Sequence, residues 1–314
     1  MTRGRDAPPM HLIVNPTSAN GRLARYWPRL LQAMEGARVP FTFEFTEAPG
    51  HATELARGAR LRGVPTIVSV GGDGTVHEVV NGLVGEEALP FLPGGALPML
   101  GVIPFGTGTD FVRTTGIPRD PLEAIQRLQR GQPRCVDLIE VRYQHEGQPR
   151  RRYCANVVGL GFDAAIVKRV NRSFKALRGT IPFISSLLVE LFGYQNKQVA
   201  VRFNGQELSG KVNAVVACNG RYFGGGMEVG PTACPDDGLI DLVIIGDLNR
   251  LELLLNLPRI YAGTHLTHPK VRHFQVTEAE VETDEDVFVE AEGELLGRAP
   301  VHLRIIPRAL WVIA

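Results

Sequence analysis

The sequence predicts two domains: an α/β domain with a parallel sheet and helices on both faces, followed by a mostly antiparallel β-sandwich. Three observations lead there. Apolar β-branched runs alternate with helical-period segments over the first part of the chain, the pattern of a parallel sheet. Three turns rich in Gly, Thr and Asn follow strand-like runs in that part, where ligands meet such sheets. Near residue 140 the character changes to short alternating runs with frequent turns, which is antiparallel β.

Taken in order, Met10–Val14 is a short buried-strand pattern, followed by the polar turn Asn15-Pro16-Thr17-Ser18-Ala19-Asn20-Gly21 and a helix over 23–34. Phe41–Phe45 is a second strand, 46–50 a loop and His51–Leu61 a helix. A strand over 66–70 breaks on Gly71, Gly72 and Gly74, and Val76, Val79, Val80 and Leu83 carry the helical period onward. A fourth strand over 99–103 ends at Pro104-Phe105-Gly106-Thr107-Gly108-Thr109-Asp110-Phe111. A helix Pro121–Arg130 then leads to a fifth strand over 135–141. Beyond it, strands are expected over 199–203, 212–218, 240–245, 271–276, 287–291 and 301–305, with helices over 164–170, 184–192 and 251–261. The first domain is read as 1–138, with 308–314 returning to it, and the second as 139–307.

Composition sets bounds. The chain has 314 residues, 44% apolar and 21% charged, with net charge +1; that length accommodates two cores, and no global field points to nucleic acid. Cys135, Cys154, Cys218 and Cys234 form no C-x-x-C pair, which reads as free thiols in a reducing compartment. No signal-peptide pattern opens the chain, and the longest apolar window, 181–192, is too short to span a bilayer. The expectation is a cytoplasmic protein, at most peripheral on the inner face of a membrane.

The turn Gly71-Gly72-Asp73-Gly74-Thr75 carries the chemistry. Glycines let backbone N–H groups approach a ligand closely, and a helix start attracts anions. Asp73 beside phosphate calls for a hard cation such as Mg²⁺ between them. No G-x-x-x-x-G-K-[ST] occurs, which argues against a P-loop enzyme. His77 is expected on the helix surface, and Asp110, taken alone, as a helix cap.

Gly-Gly-Asp-Gly-Thr resembles the motif of the diacylglycerol kinase catalytic domain, shared with sphingosine and ceramide kinases and, more distantly, with NAD kinases and phosphofructokinases. The 15–21 turn is similar to that family's phosphate turn, with Ala19 where glycine is usual. Gly106-Thr107-Gly108-Thr109-Asp110-Phe111 resembles the motif of the diacylglycerol and sphingosine kinases, with Thr109 for Asn. The resemblance implies ATP as cofactor, held by Asn15, Pro16, Thr17, Ser18, Thr46, Gly71, Gly72, Asp73, Gly74, Thr75, Glu78, Gly106 and Thr107. It implies a Mg²⁺ and water network on Asp73, Asp110, Asp137 and Glu294.

Cys234-Pro235-Asp236-Asp237-Gly238-Leu239-Ile240-Asp241 resembles the loop that holds a structural Mg²⁺ in relatives, through Asp237 and the carbonyls of Cys234 and Leu239 here. Asn219-Gly220, with 224–226, matches another family loop. Glu290-Ala291-Glu292-Gly293-Glu294 stands where the family has Asp-Gly-Glu. On a strand its alternate carboxylates would share one face. Glu292 would be the catalytic base and Glu294 part of the metal–water network.

Gly159-Leu160-Gly161-Phe162-Asp163-Ala164 fits a dinucleotide fingerprint, but lacks a strand-end acid about 20 residues on and is read as a tight structural turn. Lys168, Arg169, Arg172, Lys175 and Arg178, ahead of the apolar 181–184, form a basic and apolar pair of faces suited to an anionic membrane. The resemblance thus implies a kinase for a diacylglycerol-like lipid at a membrane surface. Its active site would lie in the cleft between domains, with a homodimer as the oligomer to consider. The alternatives are another acceptor (a sphingoid base, another lipid or NAD) or a weakly catalytic nucleotide-binding regulator.

Overall fold

The computed structural model describes residues 10–37, 39–85, 97–106, 108–173 and 193–314, with backbone alone for 170–173. The expected helix over 184–192, Thr107, Lys175, Arg178 and the apolar 181–184 lie outside the described residues. The chain divides into two compact units, residues 1–136 with 309–314, and residues 137–308.

The first unit is built from β1 (Met10–Val14), α1 (Ser18–Gly36), β2 (Phe41–Phe45), α2 (His51–Leu61), β3 (Thr66–Gly71), α3 (Asp73–Val84), β4 (Met99–Pro104), α4 (Asp110–Thr115) and α5 (Pro121–Arg130). β1 pairs in parallel with β2 and β3, and β3 with β4. Alternate residues of a strand face opposite ways. Leu12, Val14, Val68, Val70 and Ile103 meet Leu23, Trp27, Leu30 and Met34 of α1 and Ile125 and Leu128 of α5 in one core. Ile13, Ile67 and Val102, also buried, alternate to the other face, where α2 and α3 pack on each other and on β1 and β3. Gly82 allows that packing, since a Cβ there would lie 2.3 Å from the Thr53 carbonyl oxygen.

One expectation is corrected. The strand over 135–141 does not extend the parallel sheet. It lies within β5 (Pro133–His145), which pairs antiparallel with β6 (Gln148–Cys154). The edge beside β4 is filled by the last residues of β14 (Glu294–Ile313), with Val312 in parallel register with Leu100. Leu310, Val312 and Ile313 are buried there. An alternating pattern says that a strand exists, not which edge it takes.

The second unit adds β7 (Val157–Gly161), α6 (Phe162–Ser173), β8 (Lys197–Phe203), β9 (Gln206–Cys218), β10 (Ile240–Gly246), α7 (Arg250–Tyr261), β11 (Val271–Val276), β12 (Glu278–Glu282) and β13 (Phe288–Ala291). β8 pairs with β9, β9 with β7 and β10, and β13 with β7 and β14, all antiparallel. Val158, Leu160, Val215, Ala217, Leu242 and Ile244 point into one core with Val199, Val201, Val281 and Leu303. Val157, Val216, Val243 and Ile245 point the other way, onto Phe162 and Ile166 of α6 and Leu253 of α7. The β7–β9–β10 sheet is therefore covered on both faces. Gly159 and Gly161 are strand residues in it, not the tight turn expected from their spacing.

Candidate functional site

In the first unit three polar turns meet at the carboxyl ends of β1, β3 and β4. The Asn15 Nδ2 donates to Thr75 Oγ1 at 3.0 Å, tying the turn after β1 to the one after β3. Asn15 Oδ1 accepts from the Thr17 amide and hydroxyl, a local side-chain turn. The backbone then passes through Ala19, Asn20 and Gly21 at φ 51°, 59° and 76°. Ala19 thus adopts the left-handed conformation that glycine would take, and the bend is kept without it. Thr46 follows β2 at the same edge, its amide bonded to the Val14 carbonyl.

The glycine turns touch backbone to backbone. A Cβ on Gly106 would sit 2.7 Å from Gly72 Cα, and one on Gly108 would sit 2.5 Å from Asp73 Oδ2. The Asp73 carboxylate accepts from the amides of Asp110 and Phe111 at 3.1 and 3.2 Å. It is therefore Asp73 that caps α4. Asp110 is the first helical residue, 4% exposed, with Arg113 at 3.8 Å, and not the cap expected from the sequence. Glu78 accepts from the amides of Gly50 and Ala52, capping α2. His77 is buried at 2% exposure, not a surface residue; the apolar segment 76–84 is buried on nearly every side, so helical period alone could not place it outside.

The second unit holds a buried network. Asp137, fully buried, accepts from the Gly238 amide at 2.7 Å and the Arg308 amide at 2.6 Å, while its own amide donates to the Pro235 carbonyl. The side chain of Asn219, equally buried, donates to the carbonyls of Asp137 and Ala155. The amides of Ala155 and Asn156 donate to Glu292 Oε1 at 2.8 and 2.9 Å, and the Cys154 thiol donates to the same oxygen. Burial, then the Glu292 charge, pushes that thiol well above its usual range. So the 235–239 loop and Glu292 belong to one hydrogen-bonded assembly.

Glu292 and Gly293, at φ 53° and 82°, are the central pair of a two-residue hairpin between β13 and β14. Positive φ at both marks a type I′ turn. The turn interrupts the pleat, so the three glutamates do not share a face. Glu290 is buried, Glu292 is half-buried on its amides and Glu294 is exposed.

In the 234–239 loop, the Leu239 amide donates to Asp237 Oδ1 and the Cys234 thiol to Asp236 Oδ1. The Asp237 carboxyl is raised by partial burial and by the charges of Asp241, Asp137 and Asp236. Such an excess of negative charge fits a hard cation with oxygen ligands. Among the described residues no three His, Cys, Asp or Glu side chains converge, so a cation here would draw on carbonyls. Removing Asp137 strips the loop of its anchor. Asp137→Ala is expected to lower stability by about 2 to 3 kcal/mol, since it orphans amides bonded to a carboxylate; chemical denaturation would measure it.

Comparison with known proteins completes the picture. Residues 9–141 match the model of the diacylglycerol kinase catalytic domain. Residues 156–314 match that of the YegS C-terminal NAD kinase beta sandwich-like domain. The chain belongs to the diacylglycerol kinase and YegS-like lipid kinase family. As a member of that lipid kinase family, it is similar to a diacylglycerol kinase of Bacillus subtilis, 28% identical over 303 residues, covering 96% of this chain and 95% of the relative. It is 30% identical over 247 residues to a "Probable lipid kinase YegS-like" of Stenotrophomonas maltophilia, covering 77% of this chain and 74% of the relative. A crystal structure of a diacylglycerol kinase from Bacillus anthracis shares the fold, with TM-score 0.71 at 21% identity over 98% of this chain and 96% of that one. Among the described residues no helix is long and apolar enough to cross a membrane.

Proposed function

We propose that this lipid kinase transfers the γ-phosphate of ATP to the hydroxyl of a diacylglycerol-like lipid, with Mg²⁺. The observation that carries this reading is the carboxylate of Glu292, aimed by two backbone amides in the unit matched to the YegS C-terminal domain. The full-length likeness to a protein named diacylglycerol kinase supports the acceptor.

Backbone amides of the 15–21, 71–75 and 106–108 turns receive the phosphates. The start of α3 adds its N–H groups. Asp73, Asp110, Asp137 and Glu294 would hold Mg²⁺ and its water, and Asp237 with the carbonyls of Cys234 and Leu239 would hold a structural Mg²⁺; the chemistry the first would supply is charge neutralisation on the phosphates. Glu292 accepts the lipid hydroxyl proton as that oxygen bonds to the γ-phosphorus and the bond to the β-phosphate oxygen breaks, releasing ADP. Catalysis asks the two units to present these groups to one phosphate. The work is done at the cytoplasmic face of a membrane, where Lys168 and Arg169 add attraction for anionic lipid.

Labelled ATP offered with diacylglycerol, a sphingoid base, other lipids and NAD in separate reactions tests this. Phosphate is expected on diacylglycerol. Label on another acceptor alone would reassign the substrate, and nucleotide binding with no labelled product would make the chain a regulator. Chelation should abolish transfer. Asp237→Ala should raise the Mg²⁺ concentration needed for half-maximal rate by about tenfold, because one charged ligand of a weak oxygen site is lost.

A further inference from the structure

Beneath the hairpin lies a pair of acids to which no role has been given. Asp163, in the first turn of α6, is 7% exposed, and Glu290, on β13, is 2% exposed. Both lean on Gly159 of β7. Were Gly159 to carry a Cβ, that atom would lie 1.7 Å from Asp163 Oδ2 and 2.7 Å from Glu290 Oε1. The two oxygens occupy the space that a side chain would fill, and they cannot be farther apart than those two distances together. Two buried carboxylates so close cannot both be charged.

Their remaining oxygens are committed. Asp163 Oδ1 accepts from the Ala164 amide, and Glu290 Oε2 accepts from the Gly293 amide at 2.8 Å. Asp163 Oδ2 has no donor among the described residues. The groups acting on the pair are acids and thiols: Glu292 from the turn, Cys154 from β6 and Cys218 from β9. Of the bases on α6, Lys168 stands over the Phe288 ring, and the causes acting on the two carboxyls among the described residues include no base.

We propose that Asp163 and Glu290 share a proton beneath Gly159 and are positioning residues, clamping through the Gly293 amide the turn that aims Glu292. This rests on Glu292 being the base. Burial pushes the Asp163 carboxyl from 3.8 up to about 7. Burial, then the Asp163 charge, holds Glu290 well above the usual carboxylate range. Folding therefore takes up protons here. The clamp is complete below the ordinary carboxylate range and is lost as pH rises through about 7 and beyond.

The test has two arms. In the first, the protection factor of the Gly293 amide against hydrogen exchange is followed by NMR in the full chain. It should fall about tenfold between mildly acid and mildly alkaline pH, and stay level in Glu290→Gln, whose amide can donate to Asp163 at any pH. In the second, Glu290→Ala should lower kcat about tenfold or more with KM for ATP unchanged. Glu290→Gln and Asp163→Asn should restore kcat and remove the alkaline decline. A level protection factor in the unaltered chain, or a Glu290→Gln variant that follows its pH dependence, overturns the clamp. If Glu290→Ala does not fold, the two isosteric variants carry the test. If the unaltered chain phosphorylates no acceptor, the functional reading falls, and the Gly293 exchange still decides the clamp.

Discussion

Glu292→Gln is expected to lower phosphate transfer by about 10²- to 10⁴-fold, the range a general base contributes, with ATP affinity unchanged. The amide keeps a carbonyl oxygen for the Ala155 and Asn156 N–H groups that hold Oε1, so the turn should keep its shape. Only the capacity to take the lipid proton goes. Steady-state rates on the accepted lipid, with calorimetric ATP binding, separate the two effects. A variant with near-normal kcat would move the base elsewhere. Glu292→Asp gives a second reading. Its position is left-handed, where Asp is better tolerated than Glu, yet its carboxylate falls short of those amides. A shift of about one bond length costs up to about 10²-fold, so reach and backbone preference pull in opposite directions.

Gly106→Ala should be nearly as damaging, through the nucleotide. Its new Cβ would lie 2.7 Å from Gly72 Cα, below any ordinary contact. Both partners are backbone, so neither can swing aside, and the two phosphate turns must part. Misplacement of about 1 Å at such a site costs about 10²-fold in rate. Gly74→Ala is the informative contrast, because among the described residues a Cβ there meets nothing within 4 Å beyond its chain neighbours and its own turn of helix. If it too loses ATP affinity while its thermal midpoint holds, the space around it belongs to the ligand. Unimpaired binding in Gly106→Ala would show that the turns do not act together.

How much of this could be read beforehand differs by kind of feature. Helices with strong period and clear ends, such as His51–Leu61 and Pro121–Arg130, were legible to the residue. Asp120 accepting from the Leu122 and Glu123 amides shows why the second begins where it does. The glycine motif put Asp73 between a strand and a helix, and the structure has it as the first residue of α3. Partners were not legible. Nothing local says that Asp73 caps a helix 37 residues on, that Asp137 is roofed by Gly238 and Arg308, or that His77 is buried. These follow from long-range packing, which periodicity does not encode. The glutamates at 290, 292 and 294 obeyed strand alternation on paper. Two positive φ angles at 292 and 293 undid it, and Glu is not a residue that announces a left-handed turn.

The return of residues 309–314 to the first unit has a consequence for biosynthesis. That unit lacks the strand beside β4 until nearly all of the second has been translated, so Leu100 waits for Val312. Domains ordinarily fold in the order in which they leave the ribosome. Here the first unit is completed only after the second has been translated, so its sheet closes out of chain order.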